Sequence, residues 1–392
     1  MNISILIIKY KISGGVTMLI KGANVYCDGK FIRKDIAVNG EIFTVYSNDD
    51  IVKDYSDAYI IPGLTDIHFH GAMGKDLCDG TKESIEAICE YEAQNGVTQV
   101  IPATMTLADE ELERIFKAIG EYDGTKGAEF IGVHMEGPYI SKDKIGAQNP
   151  KYLALPSLEH FDKYQKLSNN RIKKITIAPE VDGAKEFIKE RADEVVISVG
   201  HTDCDYDTAL EAFDLGARSV THLFNALNDI KHRSPGVCGA AFDSPEVMVE
   251  LITDGVHIHP SVIRMIYAMF GDDRVILISD SMMATGLSDG KYSLGGQDVY
   301  VKGKKATLES GTIAGSASNL FDCIRYAYSI GVPFESLVKS AAVNSAKEAG
   351  IYDKYGSIRV GKYANFVVVD KDLNIIDVYI RGKKIGGVNE NN

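Results

Sequence analysis

Between residues 60 and 282, short apolar runs alternate with longer stretches in which hydrophobic residues recur every three or four positions. The apolar runs predict strands, and the stretches of helical period predict amphipathic helices. The strand candidates are residues 60–70, 96–105, 129–139, 175–180, 195–202, 219–227, 247–257 and 275–282. Eight strand–helix units favour an α/β fold, the (β/α)8 or TIM-like barrel, which needs about 250 residues.

The helix candidates carry their own start and stop signals. In TKESIEAICEYEAQNG, residues 81–96, Thr81 can cap the N-terminus and Gly96 can close the C-terminus. Ile85 and Ile88 supply an inner face. Comparable stretches are LADEELERIFKAIG, DYDTALEAFDLGA and PSVIRMIYAMFG, each of which follows a strand candidate. The alternation of elements therefore holds through the central part of the chain.

Both ends of the chain have strand patterns separated by turn residues instead of helices. The strand-like segments are MLIKGANVY, DIAVNGEIFTVYS, ANFVVVD and IIDVYIRGKKI. We predict that residues 18–61 and 353–392 pair as one small β-sandwich beside a catalytic barrel over residues 62–352. A further hairpin, residues 294–316, interrupts the path from the eighth strand to the next helix. Residues 1–17 are interpreted as an N-terminal extension or a start-site artefact.

Charge and cysteine content narrow the range of partners. The 42 basic and 55 acidic residues give a formal charge of −13, and the sequence has no basic block. Nucleic acid and anionic membranes are therefore poor candidate partners. The six cysteines include no C-x-x-C pair and are expected to be reduced thiols of a cytoplasmic protein. The N-terminal apolar run is too short to span a bilayer and has no signal-peptide cleavage site.

Polar side chains collect at the C-terminal ends of the predicted strands, where barrel enzymes carry out their chemistry. They are Asp66, His68, His70, His134, Glu136, His201, His222, Asn225, Asp254, His257 and Asp280. Each would be costly to bury without a partner, and one shared divalent ion would satisfy most of them. Imidazole nitrogen and carboxylate oxygen suit zinc, iron(II) or manganese. A polar core held together by hydrogen bonds is the alternative.

Asp280 ends the eighth strand candidate, in VILISDSMMATG. A carboxylate beside an ion that activates water can accept the proton of that water and pass it to a leaving group. We therefore predict that Asp280 is the general base and then the general acid. The alternative for this residue alone is a structural role, capping the turn after the strand.

These motifs resemble the amidohydrolase superfamily and, within it, the N-acetylglucosamine-6-phosphate deacetylase family. The matching segments, in the family's order, are PGLTDIHFHG, HMEGPYISKDKIGAQNP, SVGHTD, THLFNAL, HRSPG, ITDGVHIHP, LISDSM and GTIAGS. The resemblance implies that Glu136, His201 and His222 hold the principal metal ion. It also implies that His68 and His70 allow a second ion, so one or two ions bind per subunit. Zinc is expected, with iron or manganese as alternatives.

The resemblance also implies a reaction, hydrolysis of N-acetylglucosamine 6-phosphate to glucosamine 6-phosphate and acetate. The implied contacts to the phosphosugar are Ala147, Gln148, Asn225, Ala226, Arg233, His257, Ile313, Ala314 and Gly315. Gln148 departs from the pattern, because several members carry histidine there. The alternatives are another amidohydrolase, such as an N-acetylgalactosamine-6-phosphate deacetylase, and a non-catalytic phosphosugar-binding protein. A homodimer or other homo-oligomer is expected from the family.

Overall fold

The computed structural model describes residues 17–45 and 51–386. The predicted extension over residues 1–17 lies outside them, apart from Thr17, which begins the first strand. The strands before the barrel are β1 (Thr17–Lys21), β2 (Asn24–Cys27), β3 (Lys30–Arg33), β4 (Ile36–Asn39), β5 (Ile42–Thr44), β6 (Ile51–Asp54) and β7 (Tyr59–Pro62). The strands of the barrel region are β8 (Leu64–Asp66), β9 (Gly71–Ala72), β10 (Lys75–Asp76), β11 (Val97–Val100), β12 (Glu129–Phe130), β13 (Val133–Glu136), β14 (Ile172–Ile177), β15 (Val196–Val199), β16 (Ser219–Val220), β17 (Met248–Ile252) and β18 (Val275–Ile278). The remaining strands are β19 (Gly290–Leu294), β20 (Gln297–Lys302), β21 (Lys305–Leu308), β22 (Ile313–Ser316), β23 (Phe366–Val369), β24 (Ile375–Ile380) and β25 (Lys383–Gly386).

The α-helices lie mainly between the barrel strands, as the alternating pattern predicts. They are α1 (Lys82–Gln94), α2 (Asp109–Glu121), α3 (Leu158–Leu167), α4 (Ala184–Arg191), α5 (Tyr206–Asp214), α6 (Gly236–Asp243), α7 (Pro260–Phe270), α8 (Leu320–Ser329), α9 (Phe334–Val338) and α10 (Ser345–Glu348). Thr81 caps α1 as expected, because its side chain accepts a hydrogen bond from the Ser84 backbone. Within the described part of the chain, none of the helices combines the length and apolar character needed to cross a bilayer.

The barrel strands are parallel and close on themselves. Strands β13 to β18 pair in sequence order, and β12, β11 and β8 pair separately. Backbone hydrogen bonds join the two groups: Asp280 N–H donates to His68 O at 3.0 Å, and Thr104 N–H donates to His134 O at 2.9 Å. The expected (β/α)8 barrel is confirmed. Its third strand is divided between β12 and β13.

The first predicted strand, residues 60–70, is broken at Gly63. Strand β7 belongs to a sheet outside the barrel, whereas β8 belongs to the barrel, so the chain crosses from one to the other at this glycine. A Cβ at Gly63 would lie 2.0 Å from Thr98 Oγ1, so only glycine allows this close approach. Strand β8 ends at Asp66, which leaves the two histidines of the H-x-H motif in the segment just beyond it.

The two chain ends form a sandwich of two sheets. One sheet has the order β5-β4-β1-β6, and the other has the order β25-β24-β23-β7-β2-β3. Both contribute to one hydrophobic core, in which Phe43 packs against Phe366 with ring centroids 5.8 Å apart. Strand β7 lies between N-terminal β2 and C-terminal β23, so the sheet joins both ends of the chain. The expected β-sandwich is confirmed.

The segment predicted as a hairpin is a four-stranded antiparallel sheet, β19 to β22. Its last strand returns to the barrel: Ser316 N–H donates to Asp280 O at 2.7 Å, and Met282 N–H donates to Ser316 O at 2.9 Å. This pairing places Ile313 and Gly315 beside the end of the eighth barrel strand.

Candidate active site and metal centre

The side chains that converge at the barrel mouth share one position relative to their strands. Glu136 is the last residue of β13, while His68, His201, His222 and Asp280 each lie two residues beyond the end of a strand. Because parallel barrel strands all end at the same rim, this common offset brings side chains from distant parts of the sequence together.

Glu136 is the centre of the cluster. Its Oε1 atom lies 3.2 Å from His68 Nε2, 3.2 Å from His201 Nε2 and 3.1 Å from His222 Nε2. Its Oε2 atom lies 3.4 Å from His70 Nε2. Asp280 Oδ1 approaches the same region and lies 3.3 Å from His70 Nε2.

The donor set fits a divalent cation. His68 Nε2 is buried without a hydrogen-bond partner, although it faces the carboxylate of Glu136. The Nε2 atoms of His201 and His222 lie only 3.1 Å apart, an approach that a shared ion explains better than a hydrogen bond. Three groups among the described residues could hold a metal: Glu136 with His201 and His222, Glu136 with His68 and His70, and His68 with His134 and Glu250. The first two share Glu136 and lie at the cavity. The predicted metal-binding character of the site is therefore supported.

The electrostatics keep both carboxylates of this site ionised. Burial by itself would raise the pKa of Glu136, but His68 and the hydrogen bonds from His201 and His222 hold it well below its usual range. The pKa of Asp280 is also lowered. Burial opposes that shift, and the hydrogen bond from His70 and the neighbouring imidazoles outweigh it. An ionised Asp280 can accept a proton.

A second layer of charged residues lies deeper in the barrel. His68 Nδ1–H donates to Glu250 Oε2 at 2.9 Å, and the His222 backbone N–H reaches the same oxygen at 3.1 Å. Lys174 Nζ lies 2.7 Å from Glu250 Oε1 and also pairs with Glu348. Sequence reasoning missed these residues because each lies within or behind an apolar run. The signal that could have found Lys174 and Glu250 is a charge inside an otherwise apolar strand, whereas Glu348 lies on helix α10 and carries no such signal.

His134 is one of the polar residues predicted at the strand ends, but among the contacts of the described residues its side chain has none with the Glu136 carboxylate. Its Nε2 atom makes a 2.7 Å hydrogen bond with Thr176 Oγ1, and its ring packs against that of His68. Burial holds the pKa of His134 well below its usual range, and the charge of His68 adds to this effect. The His134 ring is therefore a neutral packing and hydrogen-bonding group.

A cavity of about 230 Å³ opens above the cluster. The predicted site residues that line it are His70, Glu136, Ala147, Gln148, His201, His222, Asn225, Ala226, His257, Asp280, Ile313 and Gly315. His68 lies beneath it, Ala314 is buried in the core of the β19–β22 sheet, and Arg233 is exposed outside it. The contact of Arg233 with phosphate stays a prediction. Lining residues that the sequence did not indicate are Met105, Gly146, Leu294 and Thr312.

Two predicted substrate contacts are held by neighbouring residues. Gln148 Nε2 donates to Glu136 Oε2 at 2.7 Å, and its Oε1 accepts from the Thr106 backbone at 2.7 Å. The amide is thereby fixed beside a metal ligand. His257 Nδ1–H donates to Asp254 Oδ2 at 2.8 Å. This bond leaves Nε2 as the free ring nitrogen of a residue that lines the cavity.

Comparison with known proteins agrees with this geometry. The model of the amidohydrolase family matches residues 59–385. The N-acetylglucosamine-6-phosphate deacetylase of Bacillus subtilis is 34% identical over 93% of this chain and 96% of its own length, and that of Vibrio furnissii is 33% identical over 91% and 92%. A structure of the Mycobacterium smegmatis enzyme, a point mutant in complex with N-acetyl-D-glucosamine 6-phosphate, superimposes with a TM-score of 0.88 at 30% identity. It covers 95% of this chain and 100% of that one.

The chain therefore belongs to the amidohydrolase family. Within this family it belongs with the N-acetylglucosamine-6-phosphate deacetylases, which match it along almost their whole length.

Proposed function

We propose that this protein hydrolyses the N-acetyl group of N-acetylglucosamine 6-phosphate, giving glucosamine 6-phosphate and acetate. The observation that carries the proposal is the meeting of Glu136, four imidazoles and Asp280 at the base of one cavity. The relatives named for this reaction match the chain nearly end to end, which supports the same substrate here.

The principal ion would be held by Glu136, His201 and His222, and a second by His68 and His70 with Glu136 as the shared ligand. A divalent ion bound there supplies positive charge that makes water nucleophilic at neutral pH and polarises the amide carbonyl. We propose zinc, since nitrogen and carboxylate ligands suit it, with iron or manganese as alternatives.

Asp280 is proposed to move the proton. Its carboxylate faces the cavity and lies 3.3 Å from His70 Nε2. It accepts a proton from the attacking water and then delivers it to the amide nitrogen as the carbon–nitrogen bond breaks. The sugar leaves as an amine, and the acetyl group leaves as acetate.

The walls of the cavity are proposed to bind the phosphosugar. His257 can donate a charge-assisted hydrogen bond to phosphate through Nε2, because Asp254 occupies Nδ1. The remaining proposed contacts in the cavity wall are Ala147, Gln148, Asn225, Ala226, Ile313 and Gly315. Two further proposed contacts lie outside the wall, namely Ala314 in the core of the β19–β22 sheet and Arg233 in the exposed segment after β16.

Assembly, location and domain division are also proposed. We propose a homodimer or other homo-oligomer, which light scattering on a sizing column would test.

A cytoplasmic location is supported by the six cysteines, all of which are free thiols in the structure. The division into a barrel over residues 62–352 and a sandwich from both ends predicts that limited proteolysis cuts near those boundaries.

Acetate release by the purified, zinc-supplemented protein tests the function. The substrates to compare are N-acetylglucosamine 6-phosphate, N-acetylgalactosamine 6-phosphate and unphosphorylated N-acetylglucosamine. We expect the highest kcat/KM for the first and a large loss for the unphosphorylated sugar. A preference for the galactosamine isomer would change the substrate assignment. No acetate from any of the three would refute the deacetylase activity.

A further inference from the structure

Glu250 is a charged residue in the middle of barrel strand β17, with its side chain fully buried inside the barrel. A buried carboxylate is costly unless it is paired and hydrogen-bonded. Apolar residues fill most other positions of this strand, so a carboxylate here calls for a specific contact.

One oxygen of Glu250 contacts two of the proposed metal ligands. Its Oε2 atom accepts a hydrogen bond from His68 Nδ1–H at 2.9 Å and another from the His222 backbone N–H at 3.1 Å. The first bond fixes the orientation and tautomer of the His68 ring, with Nε2 turned towards Glu136. The second hydrogen bond holds the turn after β16 against the same carboxylate oxygen of Glu250.

Two of the other three ligand rings bond to neutral backbone carbonyls through Nδ1, and the buried Nδ1 of His222 has no hydrogen-bond partner. His201 Nδ1–H donates to the Lys144 carbonyl at 2.9 Å, and His70 Nδ1 lies 3.3 Å from the Ala103 carbonyl. Among the four imidazoles proposed as metal ligands, His68 is therefore the one whose Nδ1 bonds to a carboxylate. A carboxylate partner makes an imidazole a stronger metal ligand than a carbonyl does.

Lys174 supplies the opposite charge on the far side of Glu250. Its ammonium lies 2.7 Å from Glu250 Oε1, donates to Ser219 Oγ at 2.9 Å and pairs with Glu348. The lysine is itself nearly fully buried. It keeps Glu250 ionised and occupies the side of the carboxylate that faces away from the metal site.

We propose that Glu250, neutralised by Lys174, is a positioning residue that preorganises both halves of the metal centre through the His68 ring and the His222 backbone. This inference rests on the proposed function, because it assigns a role within that metal site. It predicts that removing the carboxylate weakens zinc binding even though no proposed ligand is changed.

The experiment measures zinc affinity by chelator competition and zinc content by mass spectrometry in the full-length protein. Glu250→Gln is compared with Glu348→Gln, which removes a carboxylate from the same network without contact to a proposed ligand. We expect zinc affinity to fall roughly 10- to 100-fold in Glu250→Gln and to stay near the unmodified value in Glu348→Gln.

A second variant covers the case in which Glu250→Gln leaves Lys174 unpaired and fails to fold. Lys174→Met/Glu250→Leu removes both charges and the acceptor of His68 together, and it should show the same loss of affinity. NMR of the zinc-loaded protein gives an independent signature, since the His68 Nδ1 proton should be strongly deshielded and should lose that shift in the double variant.

Equal zinc affinity and an unchanged His68 proton in the folded variants would overturn the inference. That outcome differs from failure of the proposed function. If the unmodified protein released no acetate, the function would fall, while the zinc and NMR measurements would still decide the role of Glu250.

Discussion

Three residues that carry the proposed chemistry hold a backbone conformation that side-chain-bearing residues rarely adopt. His201, His222 and Asp280 have φ angles of 48°, 26° and 50°. Each such conformation costs on the order of 1–3 kcal/mol and persists only where the surroundings enforce it. Here the chain turns sharply two residues beyond each strand, which directs the side chain over the barrel mouth. The strained backbone conformations therefore occur at residues that carry the proposed chemistry.

Asp280→Asn should separate binding from turnover. The amide keeps the shape of the side chain but cannot accept the proton of the attacking water, so we expect kcat to fall about 10²- to 10⁴-fold. Zinc content and KM should change little. Acetate release and zinc analysis measure the two effects. Asp207→Asn, at an exposed position of α5, is the matched control. Near-normal kcat in Asp280→Asn would remove this residue from the proton transfer.

The raised pKa of His257 leads to a prediction of how KM depends on pH. Burial alone would lower its pKa, but the hydrogen bond from His257 to Asp254 raises it above the usual 6.5, with a further contribution from Asp280. The ring therefore keeps its charge to a higher pH than a free imidazole does and loses it as the pH rises further. KM for the phosphorylated sugar should therefore increase as the pH rises above the usual range of imidazole titration.

The variant His257→Gln keeps a donor without the charge. Its KM should be roughly 10- to 100-fold higher near pH 7, since a hydrogen bond to a charged group contributes about 1.5–3 kcal/mol. Its KM should also lose the dependence on pH. The same pH profile in both proteins would argue against contact between His257 and phosphate.

At the scale of elements, the periodic pattern predicts helix faces well but does not reveal a buried charge within a face. Helix α1 packs Ile85 and Ile88 inward as expected, yet Glu92 is also fully buried there. Both of its carboxylate oxygens lack hydrogen-bond partners. Burial raises the pKa of Glu92 well above 4.5, and the charge of Asp66 adds to the shift. The folded protein thus favours the protonated form of Glu92 more strongly than the unfolded chain does.

This burial makes stability depend on pH in a defined direction. Above about pH 4.5 the unfolded chain releases the Glu92 proton while the folded protein retains it, so stability is lost as the pH rises. Glu92→Met should raise the unfolding free energy by roughly 1–3 kcal/mol at pH 7, because an unpaired buried polar group is removed. Thermal unfolding at pH 5 and pH 8 should show a gain that grows with pH. Glu90→Met, at an exposed position of the same helix, is the control; an equal gain there would refute the explanation.

At the scale of the whole molecule, the proposed metal site joins segments far apart in the chain. Its ligands come from the ends of β8, β13, β15 and β16, so a bound ion connects a large part of the barrel ring. A ligand that binds only the folded state stabilises it by about 2.7 kcal/mol at a hundred times its Kd. Chelation should therefore lower Tm and abolish acetate release, and added zinc should restore both.

The variant Glu136→Gln serves as the reference for this effect, because it removes the central carboxylate. Its Tm should depend much less on zinc concentration. A protein whose Tm and activity were the same with and without chelator would not use a metal ion at this site.

The sequence by itself determined the class of fold and predicted most of the residues that meet at the candidate site. Alternating apolar runs and helical periods require strands and helices in succession, and residues such as Glu136 and His201 follow the runs at their ends. Strong local patterns of this kind survive folding, because burial of the apolar face dominates the free energy. The motifs HMEGPY and THLFNAL added the family, and with it the reaction.

Only the tertiary structure decided which charges meet. Glu250, Lys174 and Glu348 are separated by up to 174 residues, and each lies where local pattern predicts an apolar position or an ordinary helix. The structure also left Arg233 outside the cavity and fixed Gln148 against Glu136. Contacts across the barrel depend on strand register and closure, which no short stretch of sequence encodes, because the partners come from opposite sides of the ring.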